Sequence, residues 1–314
     1  MRSAIALAWL ALLLCAIPAR AVVVAGVNGT GTNNTTDPGL GFGFGNVGII
    51  GGATGIYLGS YGGGYWVLTA NHVGMGNIAL CGTTFNAVAG SGRQIGSADL
   101  YVFRIDANPG LPTLTLATSS PVLGTPIYMV GGGQQRSAAT QWTITKLLGD
   151  NDDIWTTPPS EEVVNAEGYT FPGGNVLRWG SNNVELLDQS FSATACFATF
   201  FSRPADFNTS NEAQGSAGDS GGAVFFQSSG TWCLGGVMLA VSGLDGMAGT
   251  TAAIYDYDDL GYGNATLDAD IATYRGAILS VIPEPTETGM MMGGMGAIFA
   301  FGWRRYRQKN SRAG

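Results

Sequence analysis

Three side chains of this 314-residue chain could together carry nucleophilic chemistry: Ser220, His72 and Asp99. Ser220 stands in Gly218-Asp219-Ser220-Gly221-Gly222, where the glycines let backbone and substrate come close to a hydroxyl that a Cβ would crowd. A serine hydroxyl is a weak nucleophile at neutral pH, so a neighbouring base has to take its proton. His72, the sole histidine, closes the run Trp66-Val67-Leu68-Thr69-Ala70-Asn71-His72, and Asp99 opens the alternating run 100–105. Each residue also has a plainer reading. A Gly-flanked serine can be a simple turn in a chain with 50 glycines, a lone histidine is ordinarily structural, and a strand-end aspartate is ordinarily solvated. The Gly-x-Ser-x-Gly spacing also matches a nucleophile elbow, whose acid and histidine follow the serine in sequence. No histidine follows Ser220, which excludes that arrangement.

The elements that must position these residues are short strands. Apolar runs at 47–50, 55–58, 65–69, 100–105, 113–116, 126–130 and 141–147 are rich in Val, Ile, Tyr and Trp and broken by glycine. The pattern thins from 149 to about 190 and returns at 192–201, 223–227, 231–242 and 251–255. Such spacing, without helical periods between the runs, indicates an antiparallel sandwich or barrel. One segment reads as a helix, 268–281, with Ile271, Tyr274, Ile278 and Leu279 near the 3.6 period and Thr266 or Asp268 as its cap. Residues 22–45, rich in Gly, Asn and Thr, read as a flexible arm. Asp150-Asn151-Asp152-Asp153 reads as a solvated acidic loop rather than a Ca²⁺ site.

Composition narrows the class. Charged residues make up 11% of the chain, against about 25% in ordinary soluble domains. Residues 1–21, with Met1-Arg2, an apolar stretch and Ala19-Arg20-Ala21, read as a secretory signal cleaved after Ala21. At the other end, residues 283–314 hold Pro283-Glu284-Pro285, an apolar stretch over 289–303 and the basic cluster Arg304-Arg305-Tyr306-Arg307. That stretch is shorter than the roughly 18 apolar residues of a self-sufficient span. Between the two ends, seven basic residues face twenty acidic ones, a formal charge of −13. So acidic a chain is poorly suited to nucleic acid, whose phosphates call for Lys and Arg. Cys81, Cys196 and Cys233 remain after the leader. A Cys196–Cys233 bridge is the expected pairing in an oxidising compartment, both lying in strand-like runs that flank Ser220. No cysteine or histidine spacing suggests a metal, and no cofactor motif is evident.

Leu68-Thr69-Ala70-Asn71-His72, Ala98-Asp99-Leu100 and Gly218-Asp219-Ser220-Gly221-Gly222 resemble the three catalytic motifs of chymotrypsin-like (trypsin family) serine proteases. The resemblance implies an all-β fold of two six-stranded antiparallel Greek-key barrels with a C-terminal helix. It spans residues 46–282, the first barrel about 46–130, the second about 131–265 and the helix 268–281. It further implies catalytic roles for His72, Asp99 and Ser220 and an oxyanion hole at the N–H groups of Gly218 and Ser220. The primary pocket would be floored by Gln214, six residues before the serine, and walled by Ala217, Leu239, Ala240 and Val241. A neutral floor implies cleavage after small or medium neutral residues.

Three features depart from the family. Val73 follows His72 where many members have a disulfide cysteine, and only 27 residues separate His72 from Asp99. Ile49-Ile50-Gly51-Gly52 mimics an activation site but lies too close to His72 for that role, so Asp219 is expected to lack a terminal ammonium partner. The C-terminal order of Pro-Glu-Pro, apolar segment and arginine cluster resembles the PEP-CTERM sorting signal of Gram-negative bacteria. That resemblance implies an exosortase partner, a transient membrane anchor, and export through the periplasm to the cell surface or matrix. The leading expectation is therefore an exported endopeptidase acting on proteins or peptides. A non-catalytic surface or matrix binding protein on the same fold is the rival reading, and an esterase using the same site is a third.

Overall fold

The computed structural model describes residues 22–25, 34–146, 153–157, 164–171, 173–202, 211–243, 252–256 and 262–282. Residues 1–21 and 283–314, read above as a leader and a sorting signal, and most of the acidic stretch at 150–153 lie outside the described residues.

Two large antiparallel sheets, two separate two-stranded pairs, one 3-10 turn and one α-helix make up the described residues. The first sheet has seven strands in the order Thr83–Phe85, Ile78–Leu80, Val47–Ile50, Ala53–Tyr61, Gly64–Thr69, Tyr101–Ile105, Arg93–Gln94. Its central strands are buried on both faces, which is why they read as continuous apolar runs. Tyr57, Val67, Phe103 and Ile105 fill the inside of this curled sheet. Ile56, Leu58, Trp66 and Leu68 point the other way, into a core shared with Val130, Phe225, Leu234 and Leu239 of the second sheet. The crevice between the sheets therefore has a continuous apolar foundation.

The second sheet has eleven strands and includes Ala223–Ser228, Thr231–Val241 and Tyr262–Asp270. The all-β, two-sheet class with a C-terminal helix is as expected, with seven and eleven strands in place of six and six. Strand Pro126–Gly131 pairs with Ala223–Ser228 and Arg178–Asn183, so the second sheet claims chain that the 46–130 boundary assigned to the first. The thin stretch at 149–190 contains the strands Ala166–Thr170, Arg178–Asn183 and Leu186–Phe191. They were hidden because their residues are polar or small; a side chain at Gly180 would strike Ala213.

The helix spans Ile271–Val281 and starts three residues later than the periodicity suggests. Its cap is Asp270, which accepts the N–H of Ala272 at 3.1 Å, rather than Thr266 or Asp268. Both of those residues are held in the preceding strand by pairing with Phe197–Thr199 and Met238–Val241. Ile271 and Ile278 are buried and Tyr274 and Leu279 pack on the shared core, as their period requires.

The described parts of the N-terminal arm, residues 22–25 and 34–45, are held against the fold rather than loose. Val22, Val23, Val24 and Ala25 are fully or almost fully buried, and Val23–Val24 pairs with Ala213–Gln214. Farther on, Asn34 donates to the Trp179 carbonyl at 2.9 Å, and Phe42 stacks on Phe225 with Tyr128 and Trp232 around it. The expected Cys196–Cys233 bridge is also absent: both are free, buried thiols that serve different core clusters. Burial, assisted by the neighbouring Asp268 charge, pushes the Cys196 thiol up to about 12.

Candidate active site

His72 sits in a tight turn just past strand Gly64–Thr69, where Val73 and Gly74 both donate to the carbonyl of Ala70. Asp99 lies just before strand Tyr101–Ile105, and Thr69 pairs with Tyr101 across the sheet. Strand pairing thus brings together two residues far apart in sequence. His72 Nδ1 lies 2.7 Å from Asp99 Oδ2, and the backbone N–H of His72 donates to Asp99 Oδ1 at 2.9 Å. The carboxylate is 7% exposed and the imidazole 45%, so a buried acid orients a ring that reaches solvent. The acid is itself held: its backbone N–H donates to Oγ1 of Thr194, a buried residue of the second sheet, at 2.7 Å.

Ser220 lies in a knotted turn. Asp219 N–H donates to Ser216 O, Gly222 N–H to Asp219 O, and Gly221 N–H to Met238 O. Gly218 and Gly221 have φ of +93° and +84°, a region that favours glycine. A side chain at Gly221 would also collide with Thr54 O and Thr69 Oγ1, and one at Gly218 with Gly52 O. These two glycines are therefore fixed by both conformation and space.

Thr54 of the first sheet grips this turn. Its N–H donates to Ser220 O at 3.0 Å and its Oγ1 to Gly218 O at 2.8 Å, while Gly132 N–H donates to the same hydroxyl at 2.9 Å. With both carbonyls turned toward Thr54, the N–H groups of Gly218 and Ser220 have no acceptor among the described residues. An oxyanion forming beside the serine hydroxyl would find these two donors free. Ser220 Oγ makes one long contact, 3.5 Å to Leu239 O, and no hydrogen bond to His72. The two side chains nonetheless line one cleft.

Asp219 is held inside the turn that carries Ser220. Its buried carboxylate accepts from Gly133 N–H and Ser216 N–H, each at 2.7 Å, from Ser216 Oγ at 2.8 Å, and from the backbone N–H of Val22. Burial raises its pKa to about 6 despite these bonds. The residue expected to have no terminal partner thus meets the first residue that cleavage after Ala21 would expose.

Beside Ser220 lies a cavity of about 90 Å³ walled by Ala217, Leu239, Ala240 and Val241. Gln214 does not line it. It is wholly buried, in the strand beside Val23, while Gly215 N–H donates to Thr266 Oγ1 at 3.0 Å and so brings Thr266 to the cavity base with Met238. Thr54, Thr194, Thr266 and Val22 are the site residues that sequence motifs did not reveal. No group of three His, Cys, Asp or Glu side chains converges as a metal site among the described residues.

No family model matches the chain, and no curated protein matches it. Among solved structures, it is similar to the HtrA-type protease AlgW with a decapeptide, at 16% identity and a TM-score of 0.41, over 73% of this chain and 51% of that one. The chain thus spans about half the length of that protease. It is also similar to a mutant of human heparin binding protein, at 15% identity and a TM-score of 0.48 over 81% and 96% of the two chains. Rv3671c from M. tuberculosis, in an inactive mutant form, gives 13% identity and a TM-score of 0.44 over 80% and 94%. The site is accordingly read from its own geometry.

Proposed function

We propose that the chain is an exported serine endopeptidase of the chymotrypsin-like kind, acting through Ser220, His72 and Asp99. The observation that carries this reading is the clamping of His72 by Asp99 in the cleft that also holds Ser220 and the free N–H groups of Gly218 and Ser220. In this reading, rotation of Ser220 Oγ from Leu239 O toward His72 Nε2 starts the reaction. His72 takes the hydroxyl proton as Oγ attacks the substrate carbonyl carbon, and Asp99 stabilises the resulting imidazolium through Nδ1–H. The oxyanion accepts hydrogen bonds from Gly218 and Ser220, each such donor being worth about 3–4 kcal/mol in the transition state. His72 then protonates the leaving amine, the C–N bond breaks, and water resolves the acyl-enzyme by the same steps in reverse.

The small cavity beside Ser220 supports cleavage after small neutral residues, with Thr266 and Met238 rather than Gln214 at its base. Export and tail removal by an exosortase belong to this proposal through the two terminal signals. The buried Val22 supports leader cleavage after Ala21, since a free ammonium there would meet Asp219.

The rival, a non-catalytic binding protein, is favoured by one observation, the lack of a hydrogen bond between Ser220 and His72. Hydrolysis of an alanyl peptide amide by the purified chain starting at Val22 tests the proposal. Turnover lost in Ser220→Ala supports it, ester hydrolysis alone favours the esterase, and no turnover favours the rival.

A further inference from the structure

The two sides of Ser220 are unequal. The cavity toward Leu239 and Val241 has a volume of about 90 Å³. On the opposite side opens a cleft of about 580 Å³, bounded by Ile50, Ala53, Val73 and Met75. His72 lines the large cleft and not the small cavity, whereas Ser220 borders both. If the proposed function holds, the leaving amine must depart on the side of the group that protonates it. The large cleft is then the leaving-group side.

Its walls combine the aliphatic Ile50, Ala53, Val73 and Met75 with Asn77 and glycine backbone. Met75 is 41% exposed, Ile50 is buried, and no charged side chain other than His72, when protonated, borders the space. Methionine adapts its shape to different apolar partners without a fixed rotamer requirement. A small acyl-side cavity excludes large side chains but leaves the choice among small ones to a methylene or two.

We infer that this chain also selects its substrates on the leaving-group side, taking a bulky apolar residue (Leu, Met or Phe) immediately after the scissile bond into the cleft of Ile50, Ala53, Val73 and Met75. The inference rests on the proposed function and deepens it. A small residue before the bond and a large apolar one after it would define the preferred sequence. The selection acts in acylation, since the leaving segment is gone when water attacks the acyl-enzyme.

The test uses the mature chain and peptides with Ala before the bond and Gly, Ala, Leu, Met, Phe, Lys or Glu after it, cleavage being located by mass spectrometry. An alanyl methyl ester, whose leaving group cannot reach the cleft, is assayed in parallel. We expect kcat/KM for Leu, Met and Phe to exceed that for Gly by roughly 10–100-fold. Met75→Ser, at an exposed position, should lower the Phe-to-Gly ratio several-fold in protein of unchanged Tm. Peptide and ester turnover with equal rates for Gly and Phe would overturn the inference and leave the proposed function standing. Absence of turnover on every substrate would overturn both.

Discussion

Both carboxylate oxygens of Asp99 serve His72, one accepting from the ring at 2.7 Å and the other from the backbone N–H at 2.9 Å. The acid thereby fixes the tautomer of the imidazole and the position of the turn that carries it. Asp99→Asn puts an NH₂ where one acceptor stood, so the ring or the turn loses its partner. We expect kcat on an alanyl peptide to fall by about 10⁴. The fold should persist through the Thr194 bond to the Asp99 backbone, which circular dichroism would check.

The contact between Val22 and Asp219 predicts that leader removal matters for the site. In a chain beginning at Val22, an ammonium replaces the amide beside the carboxylate. An extension of Gly-Ser before Val22 keeps the amide and leaves the Asp219 pKa raised to about 6. A raised carboxylate favours the protonated form, so its contribution to stability is present at low pH and lost as pH rises through about 6. The free ammonium offsets that loss by stabilising the anion. The chain starting at Val22 should therefore exceed the extended chain in Tm by about 6–20 °C at pH 7.5, given 3–5 kcal/mol for a broken buried pair and 2–4 °C per kcal/mol. The gap should narrow below pH 6, as differential scanning calorimetry across pH would show.

Much of this site was legible in the motifs, and part of it could not be. His72, Asp99 and Ser220 stand out because chemistry restricts their types and order. Thr54 and Thr194 act through single hydrogen bonds whose partners are set by strand register, and no local pattern marks them. The glycines and asparagines of residues 22–45 masked the short apolar run Val22-Val23-Val24-Ala25, which is one of the most buried segments. Thr266 and Asp268 both read as caps, but strand pairing with Phe197–Thr199 and Met238–Val241 takes them up, and the cap falls to Asp270. Central strands such as Gly64–Thr69 were visible because both faces are buried, whereas Arg178–Asn183 is polar yet paired along its whole length.

Thr54 ties the first sheet to Gly218 and Ser220, the proposed oxyanion donors. Thr54→Val preserves shape but leaves Gly218 O and Gly132 N–H without the hydroxyl they share. Losing a buried partner costs about 1–3 kcal/mol. We expect a stability loss in that range by urea titration and a 10–100-fold fall in kcat, with KM changed much less because the donors act on the transition state.

Asp268 is fully buried, both carboxylate oxygens lack a partner, and burial raises its pKa to about 8. Its stability contribution is complete below the ordinary aspartate range and disappears as pH rises through about 8, when the fold must hold an unpaired anion. Asp268→Asn removes that titration. The variant should gain in Tm relative to the parent as pH goes from 5 to 9, and a pH-independent difference would refute the assignment.

The central claim is that Ser220 is a nucleophile activated within this fold. Labelling the folded chain that begins at Val22 with a fluorophosphonate, followed by peptide mass spectrometry, tests it most directly. The account predicts one adduct per chain, on Ser220, abolished in Ser220→Ala and strongly slowed in His72→Ala. Folded protein that takes up no label, or that is labelled equally in Ser220→Ala, would contradict it.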